Sequence, residues 1–213
     1  MKGLILKDLF ALSGYAKQYV IALAFMVLWS VMMENASFIV MYLTLLGSML
    51  VLTSITMDEA VSFSRFALTM PVSVKKLIGA KYMLLLITMG VGTAVSILFN
   101  LLIPLLKGGA VSRIEWEAFL VVPAVYLAIN AFTLPAVFKM GAEKGRYAYL
   151  IVMMAFGFGI IGGIKIFNLP PSFFNKIEEM PGAVLGAVVG GASMALLAAS
   201  YLVSVKMVGK KEW

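Results

Sequence analysis

Charged side chains are scarce in this sequence, and the densest run of mixed chemistry is the stretch Asp58 to Tyr82, DEAVSFSRFALTMPVSVKKLIGAKY. Asp58 and Glu59 lead it, Phe63, Arg65 and Phe66 follow, and Pro71, Ser73, Lys75, Lys76 and Lys81 complete it. These residue types suit ionic and aromatic contact with a partner; nothing among them makes a catalytic set. The chain has no histidine and no cysteine, so it lacks the commonest general base and metal ligand, any thiolate nucleophile and any disulfide. A nucleotide-binding loop would need G-x-x-x-x-G-K-[ST] to cradle phosphates. GAEKGRY at 141–147 shares only its glycines and a lysine, in the wrong order. Intramembrane proteolysis would need an aspartate pair, a Ser/His pair or a zinc motif inside the spans, and all are missing. No catalytic or metal site is expected, and any energy for work must come from another chain.

Locally, the two acids read as a helix N-terminus, where the macrodipole favours negative charge. Pro71 breaks that helix because it lacks an amide donor and restricts the residue before it. Ser73 is placed to cap a new helix, with Val74, Leu77 and Ile78 on one face and Lys75 and Lys76 elsewhere. The pattern is helix, break, helix, with an amphipathic element lying along the membrane or against a partner. The plainer alternative makes Lys75, Lys76 and Lys81 inside anchors of the following span.

Around this stretch the chain is oil-like. Of 213 residues 62% are hydrophobic and 13% charged, whereas a soluble domain has about 45–50% and about 25%. This predicts an all-α integral membrane protein with a single transmembrane domain, residues 1–213. Six spans are predicted at about 18–33, 37–57, 82–106, 118–138, 147–166 and 182–206, since about 17–25 apolar residues cross a bilayer as a helix. The first is long enough if it begins near Tyr15 and Lys17 snorkels to the headgroups. Before it, residues 1–16 place Leu4, Ile5, Leu9 and Leu12 at helical spacing, which predicts an interfacial helix; a plain extension of the first span is the alternative. Lys7, Asp8 and Lys17 interrupt the apolar run, which makes the N-terminus a poor signal peptide.

Lysine and arginine fall unevenly about these spans. Lys2, Lys7, Lys17, Arg65, Lys75, Lys76, Lys81, Lys139, Lys144, Arg146, Lys206, Lys210 and Lys211 lie on one side. Only Lys107, Arg113, Lys165 and Lys176 lie on the other. The positive-inside rule therefore puts both termini and the loop after the second span in the cytoplasm. The net charge of +7 is accounted for by this rule and by anionic membrane lipid, with no nucleic-acid partner required.

Small residues recur every four positions at Gly182, Gly186 and Gly190, and at Gly159 and Gly163. This spacing lets membrane helices approach closely, within one chain or between two. No charge falls within the charge-free runs that define the spans, so a proton- or sodium-driven carrier built on acidic groups is disfavoured. Asn100 and Asn130 are expected to hydrogen-bond between helices, and Pro104 and Pro135 to kink theirs. The connection KIFNLPPSFFNKIEEMP at 165–181 suggests a short interfacial helix capped by Ser172, serving as an anchor or a lid.

At LTMPVSVKKLIGAKY the chain resembles the slPvsRkkivlaKYl signature of small six-helix permeases of type-2 ABC exporters, a group that includes the bacterial Pmt exporter of amphipathic peptide toxins. Pro71, Val72, Ser73, Lys75, Lys76, Lys81 and Tyr82 match, Asp58 sits where the family has an acid, and LILKDL resembles the family's opening. Val74 stands where a basic residue is frequent. The resemblance implies a non-enzymatic, multi-pass permease of a bacterial plasma membrane, paired with an identical or related copy. It also implies docking on a cytoplasmic ABC ATP-binding subunit through a coupling helix between spans two and three. ATP and magnesium would be held by that partner, with no cofactor on this chain. Uncharged spans suit an amphipathic or lipid-like cargo. Two other readings stand beside it: a self-contained carrier or channel, and a non-transporting scaffold or toxin-immunity protein.

Overall fold

The structure, a computed structural model, describes residues 2–32, 37–69, 73–106, 116–166 and 181–209. These residues form helices without strands: α1 (Lys2–Ser13), α2 (Ala16–Met32), α3 (Ser37–Ala60), α4 (Phe63–Thr69), α5 (Val74–Leu106), α6 (Trp116–Met140), α7 (Ala142–Ile166) and α8 (Gly182–Gly209). Among them α3, α5, α6 and α8 are long and apolar enough to cross a membrane, and α1 with α2 would make a fifth span if counted as one bent unit. The chain is thus a multi-pass membrane protein. The segment predicted as a fifth span lies within α7, while the predicted helix at Ser172 lies outside the described residues.

Three turns set the geometry. Tyr15 N–H bonds to Leu12 C=O at 3.0 Å, and α1 leaves α2 at 68° instead of extending it. Between α3 and α4 the chain turns on Ser62, which takes φ 51°, a left-handed conformation that disfavours non-glycine residues. Between α6 and α7 the left-handed position is Gly141, at φ 89°. Its N–H returns to Val137 C=O at 2.9 Å, the pattern of a glycine helix cap.

Two sequence expectations are corrected here. Asp58 and Glu59 do not open a helix; they sit in the last turn of α3, where the macrodipole is unfavourable to acids. Val74 to Lys81 is not a separate amphipathic helix either, but the first two turns of the 33-residue α5, a rod of about 50 Å at 1.5 Å per residue. Ser73 does stand at its start, with Lys76 N–H 3.4 Å from Ser73 Oγ and 2.9 Å from its carbonyl.

The core lies between α3, α5, α6, α7 and α8, around Val51, Leu52, Ile78, Leu84, Leu85, Leu134 and Tyr149. The pairs α6 with α8 and α3 with α5 are the most extensive. The α3–α5 crossing is close because glycines stand in it: a Cβ on Gly47 would lie 3.2 Å from the Thr88 backbone, and one on Gly92 3.0 Å from Leu43 O. Gly186 packs on Leu120 of α6. Gly159 and Gly190 face open space, and the surroundings of Gly163 lie outside the described side chains. Phe25, Ile151 and Phe158 point outward, as expected where lipid replaces water.

Candidate functional site

At the end of the bundle where α3 stops and α5 starts, four charged side chains from three helices converge. α1 supplies Lys7 and Asp8, α3 supplies Asp58, and α5 supplies Lys81. Lys81 Nζ lies 2.9 Å from Asp8 Oδ2 and 2.6 Å from Asp58 Oδ2, and donates to Ser54 Oγ at 2.7 Å. Lys7 Nζ lies 3.0 Å from Asp8 Oδ1 and pairs with Asp58 Oδ1. Each ammonium thus meets both carboxylates, and the square is neutral. Side-chain exposure is 2% for Asp8, 7% for Lys81 and 14% for Asp58, but 32% for Lys7. Removing such charges from water costs several kcal/mol per ion, so their mutual pairing is what makes the arrangement tenable. It also offsets the unfavourable place of Asp58 at a helix C-terminus.

Lys7 does one thing more: its Nζ sits 3.6 Å from the centroid of the Phe63 ring in α4. An ammonium over an aromatic face is attracted by about 0.5–2 kcal/mol. Phe63 in turn contacts Phe66, with ring centroids 6.4 Å apart. The cluster therefore carries α4 on its outer side. From the sequence, Lys81 looks like one of three anchoring lysines and Asp8 like a polar position on an amphipathic helix. The structure places both in the interior, in helical turns outside the charge-free runs that define the predicted spans. Asp8 and Lys7 were missed as site residues because their partners lie 50 and more positions away. The one local hint was LILKDL itself, in which two charges interrupt an apolar run.

The remaining predicted coupling residues divide by exposure. Phe66, Ser73, Lys75 and Lys76 are exposed on this end, and so is Val61, which was not among them. Glu59 is exposed and reaches the α6–α7 turn, its Oε1 2.7 Å from where a Cβ on Gly141 would stand. Arg65 is in α4 with its side chain outside the described set, and Pro71 lies outside the described residues. Lys75 and Lys76 occupy the first turn of α5, where the macrodipole disfavours cations by about 0.3–1 kcal/mol each. Local stability does not explain their presence. The base of α5 is also held by α8: Tyr82 Oη meets Ser200 Oγ at 2.7 Å and Ser204 Oγ at 2.9 Å, and Tyr201 O–H donates to Lys75 C=O at 3.2 Å.

Deeper in the bundle, Asn130 of α6 donates to Ser48 Oγ of α3 at 2.7 Å and to Tyr126 C=O at 2.8 Å. Ser48 in turn reaches Tyr149 Oη of α7 at 3.3 Å. Asn130 thus makes the interhelical bond its sequence position suggests. Asn100 bonds to Ser96 C=O of its own helix at 3.0 Å. No metal-binding group of three or more acidic residues occurs among the described residues.

Compared with protein families, residues 3–208 match the model described as ABC-2 family transporter protein. Neither curated proteins nor solved structures give a match.

Proposed function

The chain belongs to the ABC-2 family of transporter proteins, and on that footing we propose that it is the permease half of an ATP-driven exporter for amphipathic peptides or other hydrophobic cargo. As a permease component of an ABC transporter it works with an ATP-binding subunit, a partner the family implies in general. The finer reading makes the permease a six-span protein with both termini cytoplasmic, acting as a pair of identical or related copies in a bacterial plasma membrane. α1 lies along the inner interface. The ATP-binding subunit docks where α4 and the start of α5 project, and its closure on ATP moves them. ATP and magnesium stay on that subunit.

The observation that carries this reading is the outward surface of Val61, Phe66, Lys75 and Lys76. It combines apolar area with cations set where a helix alone would not favour them, and it stands on a buried ionic base that fixes it to three helices. Anchoring to lipid accounts for the lysines but does not require the separate short helix α4 that carries Phe66. A self-contained carrier would need a charged path through the spans, and the buried charges seen lie at one end of the bundle in mutual pairs. A scaffold or immunity protein has no use for an ATP-binding subunit.

Co-purification with the cognate ATP-binding subunit tests the docking surface. Lys75→Glu/Lys76→Glu is expected to lose the subunit and its permease-dependent ATP hydrolysis while the permease itself stays folded. Equal binding and equal hydrolysis in that variant would refute the assignment.

A further inference from the structure

The ionic square is not uniform, and its asymmetry has a direction. Lys81 and Asp8 are buried, Asp58 is partly buried, and the three tie α1, α3 and α5 together. Lys7 alone is a third exposed and touches two groups of different kind at once, the carboxylates below it and the Phe63 ring beside it. α4 is seven residues long and leaves α3 through the left-handed turn at Ser62. Its N-terminal end is therefore tethered covalently, through a short turn, and non-covalently, through Lys7. A helix of two turns has little stability of its own, so its position depends on such contacts.

We propose that Lys7 is a latch: it fixes α4 to the interfacial helix α1, so that a displacement of α4 carries α1 with it. The ammonium is suited to this because its attraction to the ring and its pairing with Asp8 and Asp58 act from one atom. Moving Phe63 away drags Lys7 from the carboxylates or breaks the contact. The inner lysine holds the helices, and the outer one passes motion between them. Lys7 is a positioning residue and meets no cargo. The role in transport rests on the permease reading above; the mechanical link between α1 and α4 does not.

The chain has no cysteine, which allows a clean test on the full-length protein in lipid nanodiscs. Spin labels are placed at Phe10→Cys on α1 and Thr69→Cys on α4, both exposed, and their distance distribution is recorded. The labelled parent is expected to give one narrow distance. Lys7→Met, which keeps the stem and removes the charge, should broaden the distribution and lengthen its mean. Phe63→Leu should do the same to a smaller extent, and Lys7→Arg should restore the parent distance, because a guanidinium both pairs with carboxylates and stacks on rings. An unchanged distribution in Lys7→Met overturns the latch. So does a Lys7→Arg protein that behaves like Lys7→Met. In the complex, Lys7→Met should lower cargo moved per ATP hydrolysed while the ATP-binding subunit still co-purifies. Failure of the unsubstituted permease to bind that subunit would count against the permease reading and leave the spin-label result to decide the latch.

Discussion

Replacing Lys81 by Met should destabilise the protein by about 3 kcal/mol, and removing Asp8 as well should add little to that loss. Lys81 contacts both carboxylates, at 2.9 and 2.6 Å, with 7% of its side chain exposed. Removing one partner of a buried pair costs about 3–5 kcal/mol because the other charge is left uncompensated. Here Lys7 still faces both acids, which sets the estimate at the lower end. Asp8→Asn alone leaves two lysines against Asp58 and should cost a similar amount. The double variant Asp8→Asn/Lys81→Met leaves a neutral Lys7–Asp58 pair. If the two losses were independent they would sum to about 6 kcal/mol; the double should lose no more than about 3, a coupling near the upper limit found for contacting residues. Reversible denaturation in detergent micelles, followed by tryptophan fluorescence, measures the four corners of the cycle. Additive losses, or single variants each costing less than about 1 kcal/mol, the range of exposed pairs, would refute the reasoning.

Other substitutions probe the packing. Gly92→Ala forces a Cβ to 3.0 Å from Leu43 O and should cost about 1–3 kcal/mol as overpacking in the same denaturation assay. Gly190→Ala meets open space and should be neutral or stabilising by up to about 1 kcal/mol in the isolated chain; a loss seen only at concentrations where the permease pairs would locate a second copy there. Asn130→Ala removes the bond from α6 to Ser48 of α3 and should cost about 0.6–2 kcal/mol, the range for intramembrane hydrogen bonds. Lys75→Glu/Lys76→Glu puts acids where the α5 macrodipole favours them and should leave the chain at least as stable in the same denaturation assay, so that any loss of ATP-binding subunit reports on docking.

Much of the helical layout was legible because hydropathy is a property of contiguous sequence: α3, α5, α6, α7 and α8 each contain a stretch that apolar length marks out. The bend between α1 and α2 was partly legible, from the amphipathic spacing of Leu4, Ile5, Leu9 and Leu12 before the first apolar run. The helix runs past the charge-free stretch that ends at Met57: α3 continues through Asp58, whose charge is met by Lys7 and Lys81, partners that only tertiary structure supplies. The same cause hid the candidate site. Asp8 and Lys81 are 73 residues apart, and each alone reads as an ordinary surface charge. The glycine signal was partial in another way. Within the regular repeat Gly182 and Gly186 meet Glu117 and Leu120 of α6 while Gly159 and Gly190 face open space, and the close α3–α5 approach uses Gly47 and Gly92, single glycines on different helices whose partners are Thr88 and Leu43. Periodicity reports which residues share a face; which helix that face meets is a property of the fold.

The central claim is that α4 and the start of α5 are where an ATP-binding subunit drives this permease. The most direct measurement is ATP-dependent movement of a fluorescent amphipathic peptide across vesicles containing the permease and its cognate ATP-binding subunit. The complex should move the peptide from the face that carries the subunit, and Lys75→Glu/Lys76→Glu should abolish that flux. Flux that persists in the variant at the unsubstituted rate, or a complex that hydrolyses ATP and moves no amphipathic cargo, would contradict the account.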